Sequence, residues 1–203
     1  MKRIIIVAGL ILFAVSVAFS QSIETEIREF SKQEYPNDYK MQKYVYEKQL
    51  QAYNYMLSVD DQEVKEIAVK EYPKDYGMQK YVYEKQLSAK RYMKSVEDYE
   101  VNRIAIREYP NDYAMQKYTY EKQISAKQYM KRVEDYEVKR ISTREYPNDY
   151  AMQKYTYDKQ LFAKEYMHRV PYSSAKRTAQ QKYPNDYSMQ KYTYDKIMSQ
   201  ERN

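Results

Sequence analysis

The chain has 203 residues, with 28 Tyr, 4 Phe, 2 Gly and 6 Pro, neither Cys nor Trp, and a formal net charge of +6. So little Gly and Pro excludes a loop-rich β-sandwich with a turn about every ten residues, and the lack of Cys excludes a disulfide framework, thiolate ligands and a lipobox. The charge excess is diluted among 29 acidic residues with no run of five or six like charges, which argues against a polyanion-binding tail.

Residues 1–20 read MKRIIIVAGLILFAVSVAFS: two basic residues, an apolar run from Ile4, and small residues Ala18 and Ser20 around Phe19. This layout predicts a signal peptide cleaved after Ser20, because the run falls short of the roughly 20 residues that span a bilayer. An uncleaved anchor is the competing reading. Cleavage removes Lys2 and Arg3, leaves a charge of about +4, and sends the chain to the periplasm or out of the cell with no stable membrane span. A bacterial envelope is the expected setting.

From there the sequence repeats. Pro36, Pro73, Pro110, Pro147 and Pro184 stand 37 residues apart, and each opens a block such as EYPNDYAMQKYTYEKQI. A less regular block, such as SAKRYMKSVEDYEVNRIAIR, follows four of them. Ile27 and Phe30 lie 74 residues before Val101 and Ile104. Counted from the prolines, residues 21–34 form a half-unit, 35–71, 72–108, 109–145 and 146–182 full units, and 183–203 a partial unit, within one repeat domain over 21–203. Partial copies at both ends read as caps of a stack.

Within a unit, Asn37 and Asp38 after Pro36 predict a helix start near Asp38, followed by about twenty residues without a breaker. On a helical wheel Met78, Tyr81, Val82, Ala89, Tyr92, Met93 and Val96 share one broad face, with Tyr76, Tyr83 and Leu87 opposite. A helix apolar on two sides is one sandwiched between neighbours. A turn then divides the unit into a long and a short helix. Three features favour it over one continuous helix: Ser58-x-x-Asp61 and Ser95-x-x-Asp98 resemble capping boxes, Pro171 stands where a first helical turn tolerates proline, and Val101, Ile104 and Ala105 fall off the Met78 face. In the fourth unit Ala175 and Thr178 replace Val and Ile, so its short helix is expected to bury less and to fray.

The expected fold is all-α: a helical-repeat array of stacked helix pairs with a 37-residue period, which resembles the α-solenoids of helical hairpins. The resemblance is to that class, of which tetratricopeptide repeats are the familiar case. It carries over no functional residue, because a tetratricopeptide unit has roughly 34 residues and a Trp/Leu-Gly/Tyr/Ala/Pro pattern that this chain lacks.

Catalysis has little to work with: no Cys, a single histidine (His168) in a slot that drifts between copies, and no phosphate loop, HExxH or Gly-x-Ser-x-Gly element. Acids such as Glu97, Asp98, Glu134 and Asp135 read as helix-start residues, and their spacing matches no calcium loop. No enzyme activity, metal or cofactor is expected. The notable feature is QKYxYEK. Its Tyr44 and Tyr46 fall on packing faces, with Lys48 one turn after Tyr44. Gln42, Gln79, Gln116, Gln153 and Gln190, with Lys43, Lys80, Lys117, Lys154 and Lys191, lie between those faces yet never vary, whereas Asn54, Arg91, Gln128 and Glu165 share a slot that has drifted. These ten residues are therefore the candidate partner-binding ladder of a scaffold or protein-interaction module. An envelope glycan or anionic polymer is the alternative ligand, and nucleic acid is not an expected partner.

Overall fold

The computed structural model describes residues 22–201, so the signal-peptide reading lies outside the described residues. The chain is all-α, a helical-repeat array of ten helices among the described residues. After α1 (22–34) come α2 (Tyr39–Leu57), α3 (Gln62–Glu71), α4 (Tyr76–Ser95), α5 (Tyr99–Glu108) and α6 (Tyr113–Arg132). They are followed by α7 (Tyr136–Glu145), α8 (Tyr150–Arg169), α9 (Ser174–Lys182) and α10 (Tyr187–Gln200). None of the described helices is long and apolar enough to cross a membrane. The chain divides into two compact units, one through Arg91 and one from Tyr92, with the boundary inside α4.

The turn is there, and an aspartate starts the short helix after it in α3, α5 and α7, as another starts each long helix after the proline turn. Asp112, Asp149 and Asp186 cap the long helices by accepting from Met115, Met152 and Met189 N–H, and Asp61, Asp98 and Asp135 cap the short ones by accepting from Val64, Val101 and Val138 N–H. Each such cap is worth about 1 kcal/mol. Two expectations about this turn need correction. Ser58 and Ser95 are not N-caps: their hydroxyls donate back to the Tyr55 and Tyr92 carbonyls at the ends of α2 and α4, and the N-cap is the aspartate itself. Pro171 lies in the linker, two residues before the N-cap Ser173, rather than inside a first turn.

Each short helix ends at the tyrosine before proline. Tyr146 N–H closes the last turn on the Ser142 carbonyl, and the following Pro147 disfavours a helical conformation at Tyr146. The reversal needs no left-handed residue: no φ is positive among the described residues, which explains how ten helices are joined with almost no glycine.

Packing groups the helices in a different frame from the prolines. In the second unit α5 packs on α6, α7 on α8 and α9 on α10, while α6 packs on α8 and α8 on α10. A short helix thus rests chiefly on the long helix that follows it. In the first unit Ile27 of α1 shares a cluster with Ala52, Tyr46, Leu50 and Tyr53 of α2. In this frame α1 and α10 are not leftover halves; α1–α2 and α9–α10 are short–long pairs.

The apolar clusters are small and alike: Met130, Val138 and Tyr157 in one place, and Met167, Ala175, Ala179 and Tyr194 in the next. In α9, Ala175 fills the site of the fully buried Val101 and Val138, and Thr178 is exposed where Ile104 and Ile141 are buried. Less apolar area buried means less local stability. Amide hydrogen exchange is therefore expected to be faster over 174–182 than over Tyr99–Glu108 or Tyr136–Glu145, and equal protection would contradict this packing.

Candidate functional site

Four of the five glutamines of the expected ladder are buried, only 2 % exposed at Gln79 and 3 % at Gln116, Gln153 and Gln190, and Gln42 is half-buried. This overturns the expectation that packing demands little in their slot. Each one reaches back across the turn, where its Nε2 donates at 2.7–2.8 Å to the carbonyl of the C-cap tyrosine seven residues earlier (Tyr72, Tyr109, Tyr146 or Tyr183). Gln42 does the same to Tyr35 at 2.7 Å. A carbonyl freed by the end of a helix needs a donor, and a buried one left without it costs about 1–3 kcal/mol. Identity at this slot therefore has an internal cause.

The partner lysines also have internal work. Lys80, Lys117, Lys154 and Lys191 lie 4.5–5.0 Å over the rings of Tyr55, Tyr92, Tyr129 and Tyr166, and each pairs with the acid four residues on. Lys43 keeps a 3.9 Å pair with Glu47 and is far more exposed.

A second glutamine series, not singled out by periodicity, joins successive long helices. Gln49, Gln123 and Gln160 donate through Nε2 to Asp75, Asp149 and Asp186 at 2.7–2.9 Å. Through Oε1 the same side chains accept from the N–H groups of Gly77, Ala151 and Ser188 at 2.9–3.1 Å. One amide thus grips both the N-cap carboxylate and a free N–H of the next helix. Six residues on, Tyr129 and Tyr166 pack edge-on against Tyr157 and Tyr194 and donate to Asp158 and Asp195. Identity at Gln49, Gln86, Gln123 and Gln160, inside a helix where an apolar residue would serve for packing, was the available signal.

Four residues beyond that glutamine stands a lysine. Lys127 is held by both oxygens of Asp98 and by Glu100, and it lies 5.1 Å over the ring of Tyr150, whose hydroxyl donates to Glu100. Lys164 repeats this with Asp135, Glu137 and Tyr187. Burial alone would lower the Lys127 and Lys164 ammonium groups, but the carboxylates hold both well above the ordinary lysine range. Burial likewise works to raise Asp98 and Asp135, yet the lysine bonds leave both below the usual aspartate value. Glu100 and Glu137 are lowered chiefly by hydrogen bonds from the same lysines.

What internal contacts do not explain lies elsewhere. Tyr44, Tyr81, Tyr118, Tyr155 and Tyr192 are 54–61 % exposed, a correction to their placement on the packing face. The buried stripe runs through Gln79, Val82, Tyr83, Gln86, Ala89 and Met93, and it leaves Tyr81 outside. One turn on, Lys48, Lys85, Lys122, Lys159 and Lys196 are exposed in every copy, with no carboxylate at ion-pair distance among the described residues; Lys48 lies over the Tyr44 ring. In the second unit Tyr109, Tyr118, Tyr155 and Lys122 line a groove of about 350 Å³, with Glu108 and Thr119.

No protein family, curated protein or solved structure matches this chain. The site therefore rests on its own geometry. His168 is exposed on the last turn of α8, and among the described residues no group of three or more His, Asp and Glu is placed to hold a metal.

Proposed function

We propose that the chain is a non-catalytic, exported scaffold that binds a protein partner along the exposed Tyr/Lys face of its long helices. The observation that carries this reading is the Tyr44, Tyr81, Tyr118, Tyr155 and Tyr192 series. These five exposed rings are identical where exposed slots such as Asn54, Arg91, Gln128 and Glu165 have drifted. Large amphipathic rings beside unpaired cations suit an interface that dries at the rings and stays polar at its rim. Because α6, α8 and α10 pack in sequence, Tyr118, Tyr155 and Tyr192 stand on neighbouring helices and can engage one extended partner.

The direct test is capture from the native envelope fraction with residues 21–203 as bait. Replacing Tyr118, Tyr155 and Tyr192 together by Ala is expected to reduce capture at least tenfold while helicity stays constant. Unchanged capture would sink the proposal. A second reading, an acidic glycan of the envelope, is favoured by the groove in which Tyr109, Tyr118 and Tyr155 surround Lys122. Salt separates the two, since lysine-dominated polymer binding collapses as ionic strength rises and a tyrosine-rich protein interface persists.

A further inference from the structure

The joint between long helices has a giving side and a receiving side. The giving side is a glutamine, a lysine four residues on and a tyrosine two further: Gln123, Lys127 and Tyr129 in α6, and Gln160, Lys164 and Tyr166 in α8. In α2 the set is Gln49, Tyr53 and Tyr55, with Tyr53 packed edge-on at 5.0 Å against Tyr76 in place of the lysine. The receiving side of α8 and α10 is the N-cap aspartate and nearby N–H for the glutamine, the first tyrosine ring for the lysine, and the Lys/Tyr/Asp group for the tyrosine.

The two ends of the array differ in which side they retain. At the C-terminal end the giving positions in register are Ile197, Glu201 and Asn203: the amide, the cation and the ring are all gone. At the N-terminal end α2 keeps every receiving residue, namely Asp38, Tyr39, Lys43, Tyr46 and Glu47. Upstream, the register places Leu12, Ser16 and Ala18 at the giving positions, and none of them supplies the required groups. The face is correspondingly open at Tyr39 and Lys43, while Arg28 lies 5.5 Å over the half-buried Tyr46 ring. Tyr39 is 83 % exposed against 9 % for Tyr76, and the Lys43 side chain is 79 % exposed against 30–41 % for Lys80, Lys117, Lys154 and Lys191.

We infer that the N-terminal face of α2 is a docking site for a helix of another protein that presents Gln-x-x-x-Lys-x-Tyr near its C-terminal end. The chain's own joints define the occupant. The glutamine donates to the Asp38 carboxylate and takes over the Lys40 N–H, which in the free chain donates to Asp38 Oδ1 at 3.1 Å. The lysine covers the Tyr39 ring, and the tyrosine packs against Tyr46 beneath Lys43, in place of Arg28, and donates to Glu47. A second copy of this chain does not fit end to end, because its C-terminal helix has lost all three groups. The α10 end thus lacks the giving groups, while the α2 end accepts a foreign helix. This surface is separate from the Tyr/Lys face and stands or falls without it.

The test uses residues 21–203 and a labelled peptide of the α8 sequence, 150–169. An isolated helix of that length is marginal in water, so a lactam between Lys159 and a glutamate replacing Tyr155, both exposed, holds it helical. Titration is expected to show one peptide bound per chain. Binding should weaken at least tenfold for the Gln160→Leu peptide and for the Lys43→Glu chain, and be undetectable for an α10 peptide spanning 187–203. The inference is overturned if the bridged α8 peptide does not bind, or if it binds equally well after either substitution. It is also overturned if the unliganded chain forms a concentration-dependent oligomer that Lys43→Glu dissolves, since the occupant would then be a second copy.

Discussion

Replacing Gln123 by leucine is expected to lower stability by about 3 kcal/mol, a large effect for a substitution that nearly conserves volume. The amide is buried and uses both ends, donating to Asp149 at 2.8 Å and accepting from the Ala151 N–H at 3.1 Å. A hydrogen bond to a charged group contributes about 1.5–3 kcal/mol, and a buried donor left unmet costs about 1–3 kcal/mol more. Leucine removes the first term and leaves the second. Asp149 retains its bond from Met152 N–H, so the cap weakens but survives. Gln128→Leu, on an exposed slot of the same helix, is the control and should fall within about 0.5 kcal/mol of the parent. Denaturant unfolding of the two variants decides the matter, and equal midpoints would show that the joint is not held by the amide.

The second large effect is expected at Lys127. Its methionine variant keeps the stem but leaves Asp98 and Glu100 facing each other around an empty centre. Breaking a buried ion cluster by removing one partner costs about 3–5 kcal/mol; Glu100 is half exposed and solvent-screened, so about 2 kcal/mol is expected here. The pH dependence separates charge from packing. Asp98, Glu100, Asp135 and Glu137 have folded values below the ordinary 3.8 for Asp and 4.5 for Glu. Their stabilisation is therefore complete above those ordinary values and is lost as pH falls through the lowered ones. The gap between Lys127→Met and the parent should accordingly narrow in acid. On the alkaline side the signs reverse. Tyr129 is raised to about 12 chiefly by its bond to Asp158, and Tyr187 to about 12 by burial and its bond to Glu137. Fold stability from these phenols is whole below the ordinary tyrosine value of 10.0 and is lost as pH rises toward 12. Helicity followed against tyrosinate absorbance should fall in step above that value, and full ionisation of the phenols with helicity intact would contradict it.

The period, the two-helix division and the aspartate that starts each long helix were legible because each has a local signature: a fixed proline spacing, a jump in the apolar stripe, and a short acid after Pro-Asn. The capping-box reading puts the short-helix caps at Ser58 and Ser95, whereas they are Asp61 and Asp98. The side-chain assignments were less legible. A wheel ranks positions by hydropathy and so places Gln79 and Gln116 near water, yet their amides are needed by carbonyls seven residues back across a turn, a partnership with no periodic trace. Tyrosine defeats the wheel for the opposite reason. The same residue type is buried at Tyr83, Tyr120 and Tyr157 and exposed two residues earlier at Tyr81, Tyr118 and Tyr155, because a ring with a polar tip is at home in either place. Residue identity between copies flagged both series, but only one of them is explained by contacts within the chain. The glutamines are held by the fold, and the exposed rings are not.

The amide joint has a consequence for inheritance. Its giving and receiving groups lie in neighbouring copies, 26 and 28 residues apart along the chain. Loss or gain of any whole number of 37-residue periods in the gene rejoins a glutamine to an aspartate with no new interface to invent. Unequal recombination between near-identical blocks can therefore change the number of exposed rings without changing how any one of them is held. Array length, and with it the extent of the exposed Tyr/Lys face, is open to selection as a dial turned in whole steps.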